Sequence, residues 1–203
     1  MLSLSSRLVE KAVEQFASLP GIGRKTALRF VLHLIRRDKD SVSAFIDAIR
    51  HLKESIRECD VCHNIADRER CDICLDPRRD AEVICIVENI QDVISIESTG
   101  QYRGVYHVLG GVISPVDGVG PGDIRVESLL RRLDARLARE VIFALGATIE
   151  GETTAYYIYK KLPHRDQLVI TTLARGISIG NDLEYVDELT LGRSIVNRVR
   201  FEP

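Results

Sequence analysis

Three helix-period stripes of apolar residues run through the first part of the chain. The first stripe predicts a helix over residues 3–18. Pro20 and Gly21 end that helix, and the second stripe predicts another from Arg24 to Arg37. The third stripe leads into a group of cysteines, and we expect it to complete a small helical core. The apolar positions are, in order, Leu8, Val9, Ala12, Val13 and Phe16; Ala27, Leu28, Val31, Leu34 and Ile35; and Val42, Phe45, Ile46, Ile49, Leu52 and Ile56.

The pattern changes after Pro77, where short apolar runs alternate with helix-period segments. Ala81 to Val87 is a nearly continuous apolar run, which is typical of a strand buried on both faces. Alternation of this kind indicates a mostly parallel sheet with functional groups at the carboxyl ends of its strands. The fold class is therefore α+β or α/β and multidomain, with a helical N-terminal part. The further predicted elements are strands at 105–109, 141–145 and 168–171, and helices at 90–98, after an N-cap at Asp123, and at 153–162.

Length and composition place the chain among ordinary globular proteins. Its 203 residues are 45% hydrophobic and 29% charged, and the formal net charge is −2. This charge excludes a protein surface that is basic all over and coats nucleic acid, so any site for a polyanion has to be local. No apolar run has membrane-spanning length, and residues 1–5 do not begin a signal peptide. We therefore expect a cytoplasmic protein with no membrane partner.

Four of the five cysteines form two Cys-x-x-Cys pairs, Cys59 with Cys62 and Cys71 with Cys74. Each pair can aim two sulfur atoms at one point, and two pairs can complete a tetrahedral site with Zn–S bonds of about 2.3 Å. We predict one structural Zn²⁺ per chain, held by these four residues. The fifth cysteine, Cys85, lies within an apolar run and is predicted to be a buried core residue.

Other uses of the paired cysteines stay open from the sequence alone. They could serve a redox or disulfide role, or hold an iron–sulfur cluster. A secreted disulfide framework would prefer an even number of cysteines spread along the chain. Two symmetric Cys-x-x-Cys pairs favour zinc over these alternatives.

The segment between the first two predicted helices has the composition of an anion site. Gly21 and Gly23 let the backbone approach a phosphate closely, and the start of the second helix offers N–H groups and a positive dipole end. Arg24 and Lys25 follow at once, and Arg29 lies one turn further along. These five residues are the candidate DNA-binding residues.

The alternative interpretation of this segment is a plain helical turn with a solvated basic face. A Gly-x-Gly string by itself is weak support for a phosphate site. The full string Leu-Pro-Gly-Ile-Gly-Arg-Lys-Thr-Ala is more specific, and it resembles the helix-hairpin-helix motif of DNA-binding proteins. At about 100° per residue, Lys25, Arg29 and Arg36 fall within roughly 40° of one another, opposite the apolar face.

The second part of the chain resembles the Toprim domain of topoisomerases, primases and certain nucleases. Glu88 follows the first predicted strand, where that family places a Glu. The family's later string of three acids and a glycine reads here as residues 146–151, in which Glu150 and Gly151 remain. Two carboxylates could hold Mg²⁺, but metal-assisted phosphoryl transfer needs several carboxylates to hold its ions. Nothing activates the tyrosines on the last predicted helix as nucleophiles, so we interpret this part as a Toprim fold that has lost its catalysis.

The order hairpin, four cysteines and Toprim is similar to that of the RecR family of bacterial recombination proteins. Further matching strings are residues 106–111, Ser114-Pro115, Glu150-Gly151, residues 172–176, 182–185 and 190–193. The resemblance implies a helix-hairpin-helix domain at 1–56, a zinc finger at 57–77, a Toprim domain at 78–174 and an assembly segment at 175–203, which contains Gly176, Gly180 and Gly192. The alternative interpretation of the last segment is an ordinary ending of strands and turns.

The resemblance also implies a function. Members of this family are non-enzymatic DNA-binding mediators of recombinational repair, which act with RecO and RecF to load recombinase at single-strand gaps. They self-associate to dimers or ring-like tetramers and work in the bacterial cytoplasm at the nucleoid. Lys25 and Arg29 would then face duplex, single-stranded or gapped DNA, and the Toprim region would contact RecO. The alternatives are a Mg²⁺-dependent phosphodiesterase or primase-like enzyme, and a zinc-stabilised protein-interaction module.

Overall fold

A computed structural model describes residues 6–135, 138–162, 168–178, 180 and 182–200. The chain forms two compact units, residues 1–56 and 57–203. Residues 1–5, on which the expectation about a signal peptide rests, lie outside the described residues. No helix in the described part of the chain is both long and apolar enough to cross a membrane.

The first unit consists of helices. Asp38 caps the third of them, because its carboxylate accepts the N–H of Ser41 at 2.8 Å. A small core lies between the first two helices and buries Val13, Ala27 and Val31. The helices are α1 (Arg7–Ala17), α2 (Arg24–Arg36) and α3 (Lys39–Ser55).

The prediction that the third helix completes this core is wrong. None of the residues of α3 is buried. Its apolar positions Phe45, Ile49 and Leu52 are 40%, 53% and 60% exposed, because the α1–α2 hairpin already closes its core without them. Ile46 instead lines an open cavity of about 650 Å³ with apolar residues of α1 and α2. The periodicity identifies the apolar face of a helix, but it does not say what covers that face.

The second unit begins with a small knuckle that carries the four paired cysteines. Strands β1 (Arg57–Glu58) and β2 (Ile65–Ala66) pair in antiparallel fashion. Helix α4 (Asp72–Leu75) follows and is a single turn. Elements this short cannot bury an apolar core of their own.

Four parallel strands form the main sheet of the second unit, in the order β4-β3-β5-β6. In the centre, Val87 of β3 is aligned with Val108 of β4 and with Ala144 of β5. The predicted mostly parallel sheet is therefore confirmed. The bounds are β3 (Asp80–Val87), α5 (Ile90–Ser98), β4 (Gly104–Val108), α6 (Val126–Ala135), β5 (Glu140–Ala144), α7 (Ile149–Lys161) and β6 (Val169–Thr172).

The central strand β3 is buried on both faces, as its apolar run predicted. Ile84 and Ile86 pack in one core layer with residues of α6 and α7. Cys85 and Val87 pack in a second layer with Val93 of α5. Since successive side chains of a strand point to opposite faces, the sheet separates the two layers.

Helix α6 begins two residues later than the sequence predicted. The prediction made Asp123 its N-cap, but the helix starts at Val126. The carboxylate of Asp123 accepts the N–H of Gly120 at 2.8 Å and so stabilises a turn that precedes the helix. An Asp that closes a turn and an Asp that caps a helix use the same hydrogen-bond chemistry, so the sequence does not separate them.

Helix α7 begins earlier than the predicted start at Thr153. Thr148 is the N-cap, and its hydroxyl accepts the N–H of Gly151 at 3.1 Å. Helix α7 therefore starts at Ile149, and Glu150 lies in its first turn rather than in a loop. This placement matters for any metal site at the end of the sheet.

The C-terminal segment contains a short 3₁₀-helix (Leu183–Tyr185) and helix α8 (Glu188–Val196). Neither helix has a buried residue. Leu189 and Val196 are 66% and 77% exposed. The segment therefore carries apolar side chains that the described part of this chain does not cover.

Candidate zinc centre and nucleic-acid interface

The turn between α1 and α2 presents backbone on an open side. Gly21 has a φ of +76°, in the left-handed region that glycine adopts without strain. A Cβ added at Gly21 or at Gly23 would meet no atom within 4 Å. Gly23 is the N-cap of α2, and no side chain caps the helix there. The first N–H groups of α2 are therefore left for another acceptor.

The predicted cations lie together beside this turn. Arg24, Lys25 and Arg29 are exposed residues in the first two turns of α2. Arg24 donates to the carboxylate of Glu10 at 3.3 Å, which offsets part of its charge. Lys25 and Arg29 form no ion pair with any residue that the structure describes. Contact between these residues and DNA stays a prediction.

The four paired cysteines come together at one point of the second unit. The sulfur atoms of Cys59, Cys62, Cys71 and Cys74 all lie within 4.8 Å of one another. The Sγ atoms of Cys62 and Cys71 are 3.5 Å apart. A tetrahedral site with Zn–S bonds of about 2.3 Å has sulfur–sulfur edges of about 3.8 Å. The spacing therefore fits one zinc ion bound by all four sulfur atoms.

Backbone hydrogen bonds shape the first cysteine pair. The N–H of Cys59 donates to the carbonyl of Asn64 at 2.7 Å, and the N–H of His63 donates to the carbonyl of Cys59 at 2.9 Å. The N–H of Asp60 donates to the carbonyl of Glu69 at 2.8 Å, which joins this loop to the segment just before the second cysteine pair. These bonds aim the sulfur atoms within a small cluster that buries little besides the cysteines and Ala66.

The close approach of the thiols separates their pKa values. The hydrogen bond with Cys62 lowers the pKa of Cys71, and the same contact raises the pKa of Cys62. Zinc binds thiolates, so loading the site releases the remaining protons. All five cysteines are free thiols. Cys85 is buried in the sheet core as predicted, and burial raises its pKa to about 12.

The knuckle packs against the end of strand β4. The N–H of Val108 donates to the carbonyl of Cys62 at 2.8 Å. His63 follows directly with a φ of +61°, and it is the one non-glycine residue of the described chain with a positive φ. Its Nε2 lies 2.8 Å from the hydroxyl of Ser128 on α6. Its ring meets that of His107 edge to face, with centroids 5.2 Å apart.

His107 supports this contact from within the sheet. The residue is fully buried on β4, and burial lowers its pKa to about 3, so the ring is neutral. Its Nε2 lies 2.9 Å from the carbonyl of Arg125, which requires the proton on Nε2. Arg125 also pairs with Glu58 of the knuckle. These contacts could not be predicted from the sequence: His107 lies in one of the strings that match the RecR family, but its partners are distant in the chain.

The two acids of the Toprim-like region lie at the same end of the sheet. Glu88 follows β3, Glu150 lies in the first turn of α7, which follows β5, and β3 and β5 are paired neighbours in the sheet. Burial, and then the charge of Asp92, raises the pKa of Glu88. Within the described residues, no third Asp, Glu, His or Cys joins these two in a group that could hold an ion. Binding of Mg²⁺ or of a partner at this pair stays a prediction.

Gly151 beside these acids has a packing explanation. A Cβ at this position would lie 2.1 Å from the carbonyl oxygen of Gly146. Such a distance is impossible without movement of the backbone, so the start of α7 requires glycine there. Packing therefore accounts for the glycine of the Glu-Gly string without catalysis.

Families of known proteins match almost the whole chain. The Toprim domain family matches residues 82–174. Three families of RecR segments match as well: the helix-hairpin-helix at 9–53, the four-cysteine zinc finger domain at 56–76 and the C-terminal segment at 176–199. The zinc finger match and the four gathered sulfur atoms confirm the predicted structural zinc.

Curated relatives are similar over nearly their full length. The "Recombination protein RecR" of Bacteroides fragilis is 59% identical over 196 residues, which cover 97% of this chain and 95% of the relative. The protein of the same name from Bacteroides thetaiotaomicron is 58% identical with the same coverage. That of Flavobacterium johnsoniae is 50% identical over 201 residues, which cover 99% of this chain and 97% of the relative.

Proposed function

This chain belongs to the RecR family, as the sequence resemblance predicted, and from that premise we propose that it is a DNA-binding mediator of recombinational DNA repair. It acts with RecO and RecF to load recombinase at single-strand gaps, and it does so without enzymatic activity. The observation that carries the proposal is the hairpin turn, where open glycine backbone, a helix start without a capping side chain and two cations without an ion-pair partner among the described residues meet.

The hairpin binds the DNA backbone and does not read the bases. A phosphate can approach Gly21 and Gly23 because no atom of the described chain fills the space beside them. The N–H groups at the start of α2 then donate to the phosphate oxygens. Lys25 and Arg29 neutralise neighbouring phosphates, and binding releases the counterions that those phosphates held. This mode suits a protein that acts at gaps of any sequence.

The zinc ion serves the fold of the knuckle. Four sulfur atoms fill a tetrahedral coordination sphere and leave no position for water or substrate. The ion therefore contributes folding free energy to residues 57–76 rather than reactivity.

The acid pair supports a non-enzymatic role for the Toprim region. Gly146 and Thr148 stand where the Toprim string has its first two acids, so Glu88 and Glu150 alone would have to hold an ion for phosphoryl transfer. The competing proposal is a Mg²⁺-dependent phosphodiesterase or primase-like enzyme. A plasmid-nicking assay with Mg²⁺ and Mn²⁺ separates the two. Sustained turnover that disappears in Glu88→Ala would overturn the non-enzymatic assignment.

The proposal extends to assembly and location. The chain associates to a dimer or a ring-like tetramer in the bacterial cytoplasm, at the nucleoid, and its Toprim region contacts RecO. Residues 175–203 form an assembly segment, which the exposed apolar side chains of α8 support. The remaining domains are 1–56, 57–77 and 78–174, and the compact unit that ends at residue 56 supports the first boundary. Mass measurement in solution tests the assembly, and a strict monomer with and without DNA would contradict it.

The hairpin is tested with the double variant Lys25→Ala/Arg29→Ala. The logarithm of the binding constant falls linearly with the logarithm of the salt concentration, and each phosphate contact on duplex DNA contributes about 0.9 to the size of that slope. The double variant should therefore reduce the slope by roughly 2 for each hairpin that contacts DNA. The matched control is Lys11→Ala/Lys53→Ala, which removes two exposed cations from α1 and α3 and leaves those of α2 in place. Fluorescence anisotropy on duplex and gapped DNA at several salt concentrations gives both affinity and slope. Unchanged binding in the first variant would show that the hairpin assignment is wrong.

A further inference from the structure

Helix α7 carries an aromatic stripe that the sheet does not use. Its inner side is buried through Thr154 and Ile158, which are both fully inaccessible. Tyr156 and Tyr159 are 62% and 47% exposed. At about 100° per residue the two rings lie roughly 60° apart, and Tyr156 points about 160° away from Ile158. The stripe therefore faces outward from the core.

Cations border this stripe at both ends. The Nζ of Lys160 lies 5.3 Å from the ring centroid of Tyr156. One turn before Tyr156, the carboxylate of Glu152 accepts from Arg175 and, at 3.4 Å, from Arg193. A single acid is thus shared by two guanidinium groups, so this cluster of three side chains carries one net positive charge.

Exposed tyrosine rings beside cations have the chemistry of a stacking platform for unpaired bases. A base can stack on a tyrosine ring while the cations contact the phosphates on either side of it. Bases paired within a duplex are stacked on one another and cannot reach these rings. The surface therefore discriminates between a single strand and a duplex, which a phosphate contact alone does not do.

We propose that the stripe of Tyr156 and Tyr159, together with Lys160, Arg175 and Arg193, is a second nucleic-acid site that binds an unpaired DNA strand by base stacking. The inference rests on the proposed DNA-binding function and adds to it a site for the single-stranded part of a gap. It also gives the exposed tyrosines a use, since nothing in their surroundings activates them as nucleophiles.

The test uses the full chain and two double variants. Tyr156→Ala/Tyr159→Ala removes the rings, and we expect binding of a fluorescein-labelled oligo(dT) to weaken about tenfold or more. Binding of a duplex of the same length should change less than about twofold. Tyr156→Phe/Tyr159→Phe keeps the rings and should bind the oligonucleotide like the parent chain. Ile94→Ala, which shortens a side chain that is 60% exposed on α5, is the matched control.

Tyrosine fluorescence provides a second and direct readout. The chain has six tyrosines and no tryptophan, so no stronger emission masks the tyrosine signal. Stacking of a base on Tyr156 or Tyr159 should quench part of this emission when unlabelled oligo(dT) is added. Tyr156→Phe/Tyr159→Phe should keep its affinity for oligo(dT) but lose the quenching that arises from these two tyrosines. If the bases contacted tyrosines elsewhere, this variant would be quenched like the parent chain.

Each result decides the proposal. If the alanine variant folds and binds oligo(dT) like the parent chain, or if it loses duplex and oligonucleotide binding equally, the stripe is not a single-strand site. If the alanine variant does not fold, Lys160→Glu replaces it, and an unchanged oligonucleotide affinity there overturns the proposal. The Lys25→Ala/Arg29→Ala variant is measured in parallel on the same duplex. If this variant binds the duplex more weakly while the alanine variant binds oligo(dT) like the parent chain, the hairpin function is retained and the stripe is removed. If the hairpin variant binds the duplex like the parent chain and the alanine variant binds oligo(dT) like the parent chain, both are removed.

Discussion

Replacing His63 tests how much the zinc knuckle contributes to the stability of the sheet. The side chain is 19% exposed and joins the knuckle to α6 and β4. His63→Ala removes its hydrogen bond with Ser128 and its edge-to-face contact with His107. His63→Gly removes the same contacts but also relieves the left-handed backbone at this position.

The expected magnitudes follow from these contacts. A partly buried hydrogen bond contributes about 1 kcal/mol, and an edge-to-face ring contact contributes about 0.5–1.5 kcal/mol. We therefore expect His63→Ala to lower the free energy of unfolding by about 2 kcal/mol. A residue with a Cβ is strained by about 1–2 kcal/mol in the left-handed region, so His63→Gly should be the less destabilised variant by about 1 kcal/mol.

Urea unfolding of the zinc-loaded protein measures both effects. All six tyrosines lie in the second unit, so tyrosine emission reports the unfolding of that unit alone. Zinc content has to stay unchanged in both variants. His33→Ala, an exposed histidine on α2, is the control and should differ by less than about 0.5 kcal/mol. If His63→Ala unfolds like the parent chain, the contact with the sheet contributes nothing; if the Gly variant is the less stable one, the backbone argument is wrong.

Two further predictions concern the zinc ion and a partly buried ion pair. Chelation of zinc, or Cys74→Ser, should unfold residues 57–76 first, because this segment buries little besides sulfur atoms. Hydrogen exchange should then lose protection at the N–H of Val108, and retained protection would contradict the role of the metal. The Arg79 guanidinium holds the pKa of Glu97 below its ordinary value of 4.5, so this pair stabilises the fold above that pH and loses its contribution as the pH falls through the lower folded pKa. Glu97→Gln should therefore cost about 1–3 kcal/mol at pH 7, and this cost should shrink as the pH falls through the lowered pKa of Glu97; a difference that does not vary with pH would refute the assignment.

Features fixed by local spacing could be predicted from the sequence. The two cysteine pairs are close in the chain, so their geometry follows from the short loops that carry them. The alternation of apolar runs and helix-period segments likewise predicts a parallel sheet, because parallel neighbours need a crossover helix. Both predictions depend on short-range information and agree with the structure.

Features that depend on distant partners could not be predicted. His63 and Ser128 are 65 positions apart, and neither residue type indicates the other. The exposure of Phe45 and Leu52 on α3 depends on what the remaining helices cover, which periodicity does not contain. The start of α7 depends on a hydroxyl of Thr148 that could equally have faced solvent.

The burial of Cys85 has a consequence for spectroscopic labelling. Once zinc holds the other four thiols, the remaining thiol is 2% exposed, and burial disfavours its reactive thiolate. Maleimide dyes and nitroxide spin labels should therefore leave the native zinc-loaded chain unmodified. A cysteine introduced at an exposed position, such as Val116, would then be the one reactive thiol. Single-molecule distances on DNA could be measured this way without replacing any native cysteine.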